Sequence, residues 1–262
     1  MELIGNIPKA PRVAVVGSRA TQRRFVVAVA AIVRGCREAG FSVVSGGALG
    51  IDTAAHEASV RLGVATLAVL PLGRDRPYPI ANEALFRRME ATSTPQHGVL
   101  FYQASGTTPT RGMFASRNRH VIELCSHVIV VAAGLRSGSV QTGRLGLKRG
   151  REVAVVTGTP GAGQLAGAGA ICLGAPDSEA LELYTARWLS GSRATSAERA
   201  WPEHLWFVRD HLRAAGGGGI SAIDFGDPGK ALGALFEAEL SGYLIEVASG
   251  VYSAPRLPPG SS

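Results

Sequence analysis

Short apolar runs alternate along most of the chain with stretches whose apolar residues recur at helical spacing. The runs predict strands, which we place at Arg12–Val16, Phe41–Ser45, Ala65–Leu70, Gly98–Tyr102, His127–Val131, Glu152–Val156 and Ala170–Leu173. The stretches between them predict helices, which we place at Phe25–Ala39, Gly50–Leu62, Ala81–Met89, Ala115–Cys125, Gly138–Gly150 and Ser178–Trp188. Alternating strands and helices are typical of a parallel sheet with crossover helices.

Several predicted strands are apolar at consecutive positions, for example from Val13 to Val16 and from Val128 to Val131. A strand with one wet face would alternate, so helices must cover both faces of this sheet. The pattern therefore predicts an α/β fold with a doubly wound parallel sheet. In such folds the ligand binds at the carboxyl ends of the strands.

The pattern changes near the C-terminus, where a second, smaller unit is expected. Ser190–Ala200 is rich in Ser, Gly and Arg and predicts a linker. A helix at Trp201–Leu212, a helix that includes Leu232 and Leu240, and short strands at Tyr243–Val247 and Val251–Ser253 then predict a winged helix. The expected divisions are a large domain at 1–189, a linker at 190–200, the winged-helix-like domain at 201–256 and a disordered tail at 257–262.

The small unit could contact nucleic acid, or it could be a structural or dimerising appendage. Its helix Gly229–Leu240 carries only Lys230 against Glu237 and Glu239, which is a poor charge balance for binding a DNA groove. The charge balance therefore favours an interaction role for this unit.

Composition narrows the class of protein. The 262 residues are 46% hydrophobic, and 27 Lys and Arg against 20 Asp and Glu give a net charge of +7, which suits a polyanionic partner. The three cysteines are widely spaced in apolar surroundings, so we expect neither disulfides nor a zinc site. No apolar run is long enough for a membrane span and Met1–Ile4 lacks a signal-peptide pattern, so we expect a cytoplasmic protein with no membrane contact.

The loop from Ser45 to Asp52 is the first candidate for ligand binding. It follows a predicted strand, contains three glycines and no lysine, and leads into a helix. Exposed backbone N–H groups and the positive end of the helix dipole can hold an anion at such a place. A tight strand-to-helix turn without a ligand is the alternative. Asp52 and His56 share one helix face, and we interpret them as a helix-start pair.

Three further loops offer hydrogen-bond donors at the same predicted edge. Gly17-Ser18-Arg19 follows the first strand, Phe114 with Arg117-Asn118-Arg119 begins a helix, and Ser137-Gly138-Ser139 with Thr142 begins another. Arg can bind phosphate in a bidentate way, and a base can stack on Phe114. Each loop taken alone has an alternative interpretation: a helix cap for the serine loops, solvated charges for the arginines and a core position for Phe114. Together they predict a binding site at Gly17, Ser18, Arg19, Ser45, Gly46, Gly47, Ala48, Phe114, Arg117, Asn118, Arg119, Ser137, Gly138, Ser139 and Thr142.

These motifs, in this order and spacing, resemble the DNA-processing protein A family, also called DprA or Smf. The matching segments are Val13–Arg19, Ser45–Asp52 with Ala55-His56, Tyr78–Asn82, Phe114 with Arg117–Arg119, Ser137–Ser139 and Gly150–Val153. The resemblance implies an extended Rossmann fold that binds and protects single-stranded DNA and loads the recombinase RecA in natural transformation. It also implies a homodimer that pairs through the Rossmann domain. Arg19 and Arg117-Asn118-Arg119 fall on positions expected to bind the DNA backbone.

The alternatives are a phosphoribohydrolase-like enzyme and a small-nucleotide sensor. The enzymes need a Pro-Gly-Gly-x-Gly-Thr loop and a nearby carboxylate, and Thr157–Gly163 matches only in composition. The chain also lacks a Gly-x-Ser-x-Gly nucleophile elbow and a Walker lysine. We therefore expect a binding protein with no catalytic residues, cofactor or metal. The sensor would use the same glycine-rich loop. Tyr102-Gln103 and Ala132-Ala133 stand where relatives often carry Ser-Glu and Glu-Ala, and the loss of these two carboxylates leaves RecA loading open.

Overall fold

The computed structural model describes residues 1–91, 97–108, 110–191, 206–215, 220–240, 244–248 and 251–253. The strands of the main sheet are β1 (Glu2–Gly5), β2 (Arg12–Val16), β3 (Ser42–Ser45), β4 (Thr66–Leu70), β5 (Gly98–Phe101), β6 (His127–Val130), β7 (Glu152–Val156) and β8 (Ile171–Gly174). The helices around it are α1 (Arg23–Glu38), α2 (Ile51–Leu62), α3 (Glu83–Ala91), α4 (Arg111–Glu123), α5 (Gly138–Lys148), α6 (Pro160–Gly167) and α7 (Leu181–Leu189).

The eight strands form one sheet in the order β1-β5-β4-β3-β2-β6-β7-β8. All neighbours pair in parallel except β1, which runs antiparallel to β5 with Glu2 opposite Phe101. From central β2 the chain first builds outward through β3, β4 and β5, and then returns to add β6 on the other side of β2. The strand order therefore reverses between β2 and β6, which is where doubly wound sheets bind ligands.

Consecutive apolar residues in the strands are buried on both faces, as the pattern predicted. On one face, Val13 and Val15 pack with α1, whose buried residues include Phe25 and Ile32. On the other, Ala14 packs with residues from α4, α5 and α6. The doubly wound parallel sheet is confirmed.

All seven predicted strands and all six predicted helices of the large domain are present, with ends that shift by at most a few residues. Strand β1 was not predicted, nor was helix α6, whose sequence contains Gly161, Gly163 and Gly167. A short 3₁₀ turn at Ile80–Asn82 precedes α3, so that helix begins later than predicted.

The C-terminal part contains α8 (Trp206–Ala214), β9 (Ile220–Ser221), α9 (Pro228–Leu240), β10 (Ile245–Ala248) and β11 (Val251–Ser253). The three strands form a separate antiparallel sheet in the order β10-β11-β9. Val208, Phe225, Leu235 and Tyr252 share its small core. Two helices and a small sheet agree with the expected elements, while the winged-helix assignment and the domain limits stay predictions. The turn at Ser249-Gly250, most of the linker and the tail lie outside the described residues.

None of the three cysteines forms a disulfide in the structure. Cys36 and Cys125 are buried, and burial raises the pKa of each thiol to about 12, so both behave as small apolar residues. In the part of the chain that the structure describes, no helix is long and apolar enough to cross a membrane.

Candidate functional site

A cavity of about 330 Å³ lies at the carboxyl edge of the sheet, beside the point where the strand order reverses. It is bounded by the loops after β2, β3 and β6, by the middle of α4 and by the first turn of α5. Its lining residues are Val16, Gly17, Ser18, Arg19, Ala20, Gly46, Ala48, Asp52, Arg117, Asn118, Val121, Ser137, Gly138, Ser139 and Thr142. Four predicted loops therefore contribute to one cavity.

The N-terminus of α2 meets the cavity with its own carboxylate. Asp52 is buried in the first turn, and the Ala48 N–H donates to its Oδ2 at 3.3 Å. Burial raises the pKa of the Asp52 carboxyl. Nearby Arg117, the backbones of Ala48 and Gly17 and the Ser45 hydroxyl oppose that rise. Donors that the sequence offered to a phosphate are thus used by a side chain of the protein.

The backbone conformation and the close packing at the start of α2 require glycine at position 50. Its φ is +81°, and a Cβ there would overlap the carbonyl oxygen of Ser18. The Ile51 N–H donates to that same oxygen at 3.3 Å, which joins the loops after β2 and β3. The close approach of these two backbones brings Arg19 to the glycine-rich loop.

Arg117 lies at the floor of the cavity and is only 4% exposed. Its Nη1 donates to the carbonyl oxygens of Gly46 and, at 3.0 Å, of Val69. A Cβ on Gly46 would overlap the guanidinium, so this glycine leaves the space that Arg117 fills. Burial lowers the pKa of Arg117, Asp52 raises it and Arg19 lowers it further. Arg117 therefore joins α4 to the ends of β3 and β4 as well as lining the cavity.

The N-terminus of α5 meets the cavity without a charge. Ser137 is its N-cap and accepts a hydrogen bond from the Val140 N–H at 3.2 Å. The N–H groups of Gly138 and Ser139 have no acceptor among the described residues, and both residues line the cavity. The first turn contains no acidic side chain. Unpaired N–H groups at a helix N-terminus favour an anion, so this end of the cavity is open to one.

Asn118 and Thr142 link α4 to α5 inside the cavity. Asn118 Nδ2 donates to Thr142 Oγ1 at 3.2 Å, and Asn118 Oδ1 accepts from Arg117 Nε at 2.9 Å. Thr142 Oγ1 donates in turn to the Gly138 carbonyl at 2.9 Å. This chain of hydrogen bonds fixes the open N-terminus of α5 relative to Arg117.

An aromatic pair lies beside the exposed Arg19. The Arg19 guanidinium carbon is 5.8 Å from the centre of the Phe114 ring. The Tyr78 ring meets Phe114 from another direction, with centroids 5.3 Å apart and planes at 79°. Arg19 also lines the cavity, so a cation joins the cavity to two aromatic rings. Phosphate binding and base stacking are the chemistry such a group supports.

His56 lies behind the cavity rather than in it. The residue is fully buried, and its Nδ1 is 2.9 Å from Thr66 Oγ1. Burial, with smaller contributions from His97 and Arg117, lowers the pKa of His56 to about 3. His97 is also buried, its Nδ1 accepts from the Thr66 N–H at 3.2 Å, and burial lowers its pKa too. His56 is thus a neutral core residue, whereas Asp52 accepts a hydrogen bond from the loop before α2 and also lines the cavity.

The structure brings most of the predicted site residues together and moves four of them aside. Ser45 is fully buried and its hydroxyl donates to the Val15 carbonyl at 2.6 Å, so it supports the loop from beneath. Gly47 is buried behind the cavity, Phe114 lies at its rim, and Arg119 is exposed outside its lining. Sequence reasoning did not assign Asp52 or Tyr78 to the site, although Asp52 follows the third glycine of the loop and Tyr78 belongs to a motif that the resemblance contains.

A doubly wound sheet with a cavity at its switch point places the chain among the Rossmann-like α/β proteins. The chain belongs to the DNA recombination-mediator protein A family, whose model matches residues 3–175. The predicted family is confirmed. DNA processing protein DprA of Streptococcus pneumoniae is 40% identical over 151 residues, which are 58% of this chain and 52% of that protein. Protein Smf of Escherichia coli is 30% identical over 226 residues, 80% of this chain and 59% of that one.

Two solved structures share the fold. DNA processing protein A from Helicobacter pylori, described for its single-stranded DNA binding mode, has a TM-score of 0.61 at 25% identity, over 72% of this chain and 86% of that chain. DprA from Streptococcus pneumoniae has a TM-score of 0.58 at 38% identity, over 62% and 58% of the two chains. The chain aligns with 38% of a Mycobacterium tuberculosis relative, a putative DprA, and with 52% and 59% of the two curated relatives above.

Proposed function

We propose that this chain binds single-stranded DNA at the cavity and its aromatic rim and acts in DNA recombination. The observation that carries the proposal is the combination, on one cavity, of an open helix N-terminus at Gly138-Ser139, the exposed Arg19 and the Tyr78–Phe114 pair. The H. pylori relative is described as binding single-stranded DNA, and the other relatives are named for DNA processing.

In the proposed mechanism a phosphate lies at the N-terminus of α5, where the Gly138 and Ser139 N–H groups and the Arg19 guanidinium donate to it. Asp52 keeps the phosphate away from α2, because its carboxylate already accepts from the Ala48 N–H and the Ile51 N–H donates to the Ser18 carbonyl. Bases stack at the rim. Sequence preference is slight, since phosphates are alike and every base has a π-face.

The test is fluorescence anisotropy with labelled oligo-dT and with a duplex of equal length. We expect the single strand to bind more tightly, and its affinity to fall with salt at a log–log slope of roughly 0.7 per phosphate neutralised. Arg19→Ala should weaken binding by about tenfold or more, the loss of one charge-assisted hydrogen bond. Arg61→Ala, at the exposed far end of α2, is the matched control. Salt-independent binding would overturn the proposal.

The finer parts of the proposal concern partners. We propose that a homodimer delivers the bound strand to RecA, as the resemblance implies. Adding the protein should speed RecA assembly on oligonucleotides covered by single-strand-binding protein, and Arg19→Ala should reduce that effect. Sedimentation velocity measures the dimer. A protein that binds DNA but leaves RecA assembly unchanged would limit the function to DNA binding.

The proposal contains no bond-breaking step. Competition of oligo-dT by AMP or a cyclic dinucleotide at micromolar concentration would favour the sensor alternative, and release of free adenine from AMP would favour the enzyme. We expect neither, because Arg19 of the cavity also contacts Phe114 outside its lining, so the proposed site extends beyond the cavity itself.

A further inference from the structure

Phe114, the aromatic residue that its sequence motif singles out, is already covered by its neighbours. The Arg19 guanidinium carbon is 5.8 Å from the Phe114 centroid, and the Tyr78 ring approaches at 5.3 Å with its plane turned by 79°. Phe114 is half-buried as a result. A base that stacked on the face of Phe114 below Arg19 would have to displace the guanidinium.

Tyr78 is the more exposed ring of the pair, at 39%. It precedes the 3₁₀ turn at Ile80–Asn82, and that turn is held firmly. The Asn82 side chain is buried, and its Nδ2 donates to the Gly47 carbonyl at 2.9 Å and to Thr53 Oγ1 at 2.8 Å. Asn82 therefore fixes the segment that carries Tyr78 to the glycine-rich loop and to α2. An aromatic ring held in place before binding loses little entropy when a base stacks on it.

We infer that Tyr78 is the base-stacking residue of this site and that Phe114 is its support. The inference rests on the proposed function and names the group that meets the base. Arg19 and Tyr78 contact the same Phe114 ring, so a strand whose phosphate is held by Arg19 has a base within reach of Tyr78. Aromatic stacking tolerates every base and requires no hydrogen bond from the tyrosine hydroxyl.

The experiment compares two oligonucleotides of equal length, oligo-dT and a strand with the same phosphates but abasic sugars. We expect the wild-type protein to bind oligo-dT more tightly than the abasic strand. Tyr78→Leu should weaken oligo-dT binding by about 5- to 150-fold, the range for losing one base–aromatic stack, and should leave the abasic strand's affinity within about twofold. Tyr78→Phe should bind oligo-dT like the wild type.

Ile80→Ala is the matched control, because Ile80 is 69% exposed in the same segment and has no ring. A second measurement avoids substitution altogether. A strand containing 5-iododeoxyuridine is irradiated on the wild-type protein, and mass spectrometry identifies the crosslinked residue. We expect Tyr78.

Two failures are distinguishable. If Tyr78→Leu binds oligo-dT like the wild type, or if the crosslink falls on Phe114, Tyr78 is not the stacking residue although DNA binding stands. If the wild-type protein binds neither strand, both the inference and the proposed function are overturned. Thermal unfolding of Tyr78→Leu, expected to match the wild type, shows that any loss of affinity comes from the missing ring.

Discussion

Helices α2 and α5 both direct their N-termini at the same cavity, but only α2 brings a negative charge to it. In each, the second helical residue lines the cavity: Asp52 in α2 and Ser139 in α5. The Asp52 carboxylate accepts from the Ala48 N–H, whereas the Ser139 N–H has no acceptor among the described residues. The glycine-rich loop is the expected phosphate-binding loop in the sequence, but its Ala48 N–H is already bound by Asp52 of the following helix. The N-terminus of α5 is the one with N–H groups available to a ligand.

The difference also extends to the residues that begin each helix. Gly50, the N-cap of α2, has a φ of +81° and stands against the Ser18 carbonyl, while Gly138 in α5 has no neighbouring atom within 4 Å of an added Cβ. The N-terminus of α2 is packed as part of the scaffold. The N-terminus of α5 has room, which a ligand needs.

The largest expected effect follows from this packing. Gly50→Ala should cost about 3 kcal/mol or more of unfolding free energy, because the added Cβ combines an unfavourable φ with an overlap against backbone. Gly138→Ala should stay within about 0.5 kcal/mol of the wild type. Urea unfolding followed by circular dichroism measures both. Equal losses of unfolding free energy in the two variants would show that the two helix N-termini do not differ in packing.

Transferring the carboxylate from one helix to the other tests the comparison directly. Ser139→Asp places an acid at the position in α5 that Asp52 holds in α2. We expect oligo-dT affinity to fall by roughly 30- to 100-fold, since a carboxylate about 4 Å from a phosphate costs about 2 to 3 kcal/mol, between the values for bulk water and for a protein surface.

Ser139→Asn adds the same bulk without the charge and should weaken binding much less. Because acids near a helix N-terminus stabilise the helix, Ser139→Asp should unfold no earlier than the wild type. Unchanged oligo-dT affinity in Ser139→Asp would mean that no phosphate lies at α5.

Low pH should reduce the unfolding free energy through His56, which is buried in α2 four residues after Asp52. The pKa of His56 falls from 6.5 to about 3 on folding, so the unfolded chain binds the proton first. Stability from this group is complete above pH 6.5 and is lost as pH falls towards 3. Between pH 7 and pH 5 the expected loss is about 2 kcal/mol.

The raised pKa of Asp52 acts in the opposite direction, because protonation then favours the folded state. The lowered pKa of His97 acts in the same direction as that of His56. The difference between wild type and His56→Gln in urea unfolding at pH 7 and pH 5 isolates the His56 contribution. Parallel pH profiles for the two proteins would show that His56 is not the group that titrates.

The smallest expected effect is a gain. Asp52→Asn removes the negative charge from the cavity and should raise oligo-dT affinity by about 3- to 10-fold. Glu57→Gln removes an acid from the exposed side of the same helix and should leave affinity unchanged. A drop in affinity for Asp52→Asn would mean that the carboxylate is needed to shape the binding surface.

Much of the fold could be predicted because runs of consecutive apolar residues identify the buried strands of a parallel sheet. The strands Arg12–Val16 and Glu152–Val156 begin and end at the predicted residues. The missed elements depend on distant contacts. Strand β1 has only four residues and is stabilised by its pairing with β5. The glycines of α6 are typical of a loop, and the helix is evident only from the burial of Ala162 and Leu165 in the structure.

The site was predictable as a set of loops but not in its internal roles. The sequence predicted Arg117 at a helix start, where an arginine is normally solvated. That prediction was wrong, because α4 begins at Arg111 and Arg117 lies in its second turn. Only the folded structure shows that its guanidinium donates to the carbonyls of Gly46 and Val69. Likewise, only the folded structure shows that the Ala48 N–H donates to the Asp52 carboxylate.

The fit of Arg117 into the space beside Gly46 has an evolutionary consequence. The two positions are 71 residues apart, yet a side chain at position 46 and a guanidinium at position 117 compete for the same volume. A side chain larger than glycine at position 46 requires either that the guanidinium move or that position 117 change as well. Positions 46 and 117 should therefore covary across natural sequences, and a library that randomises both together should yield functional pairs that no single substitution reaches.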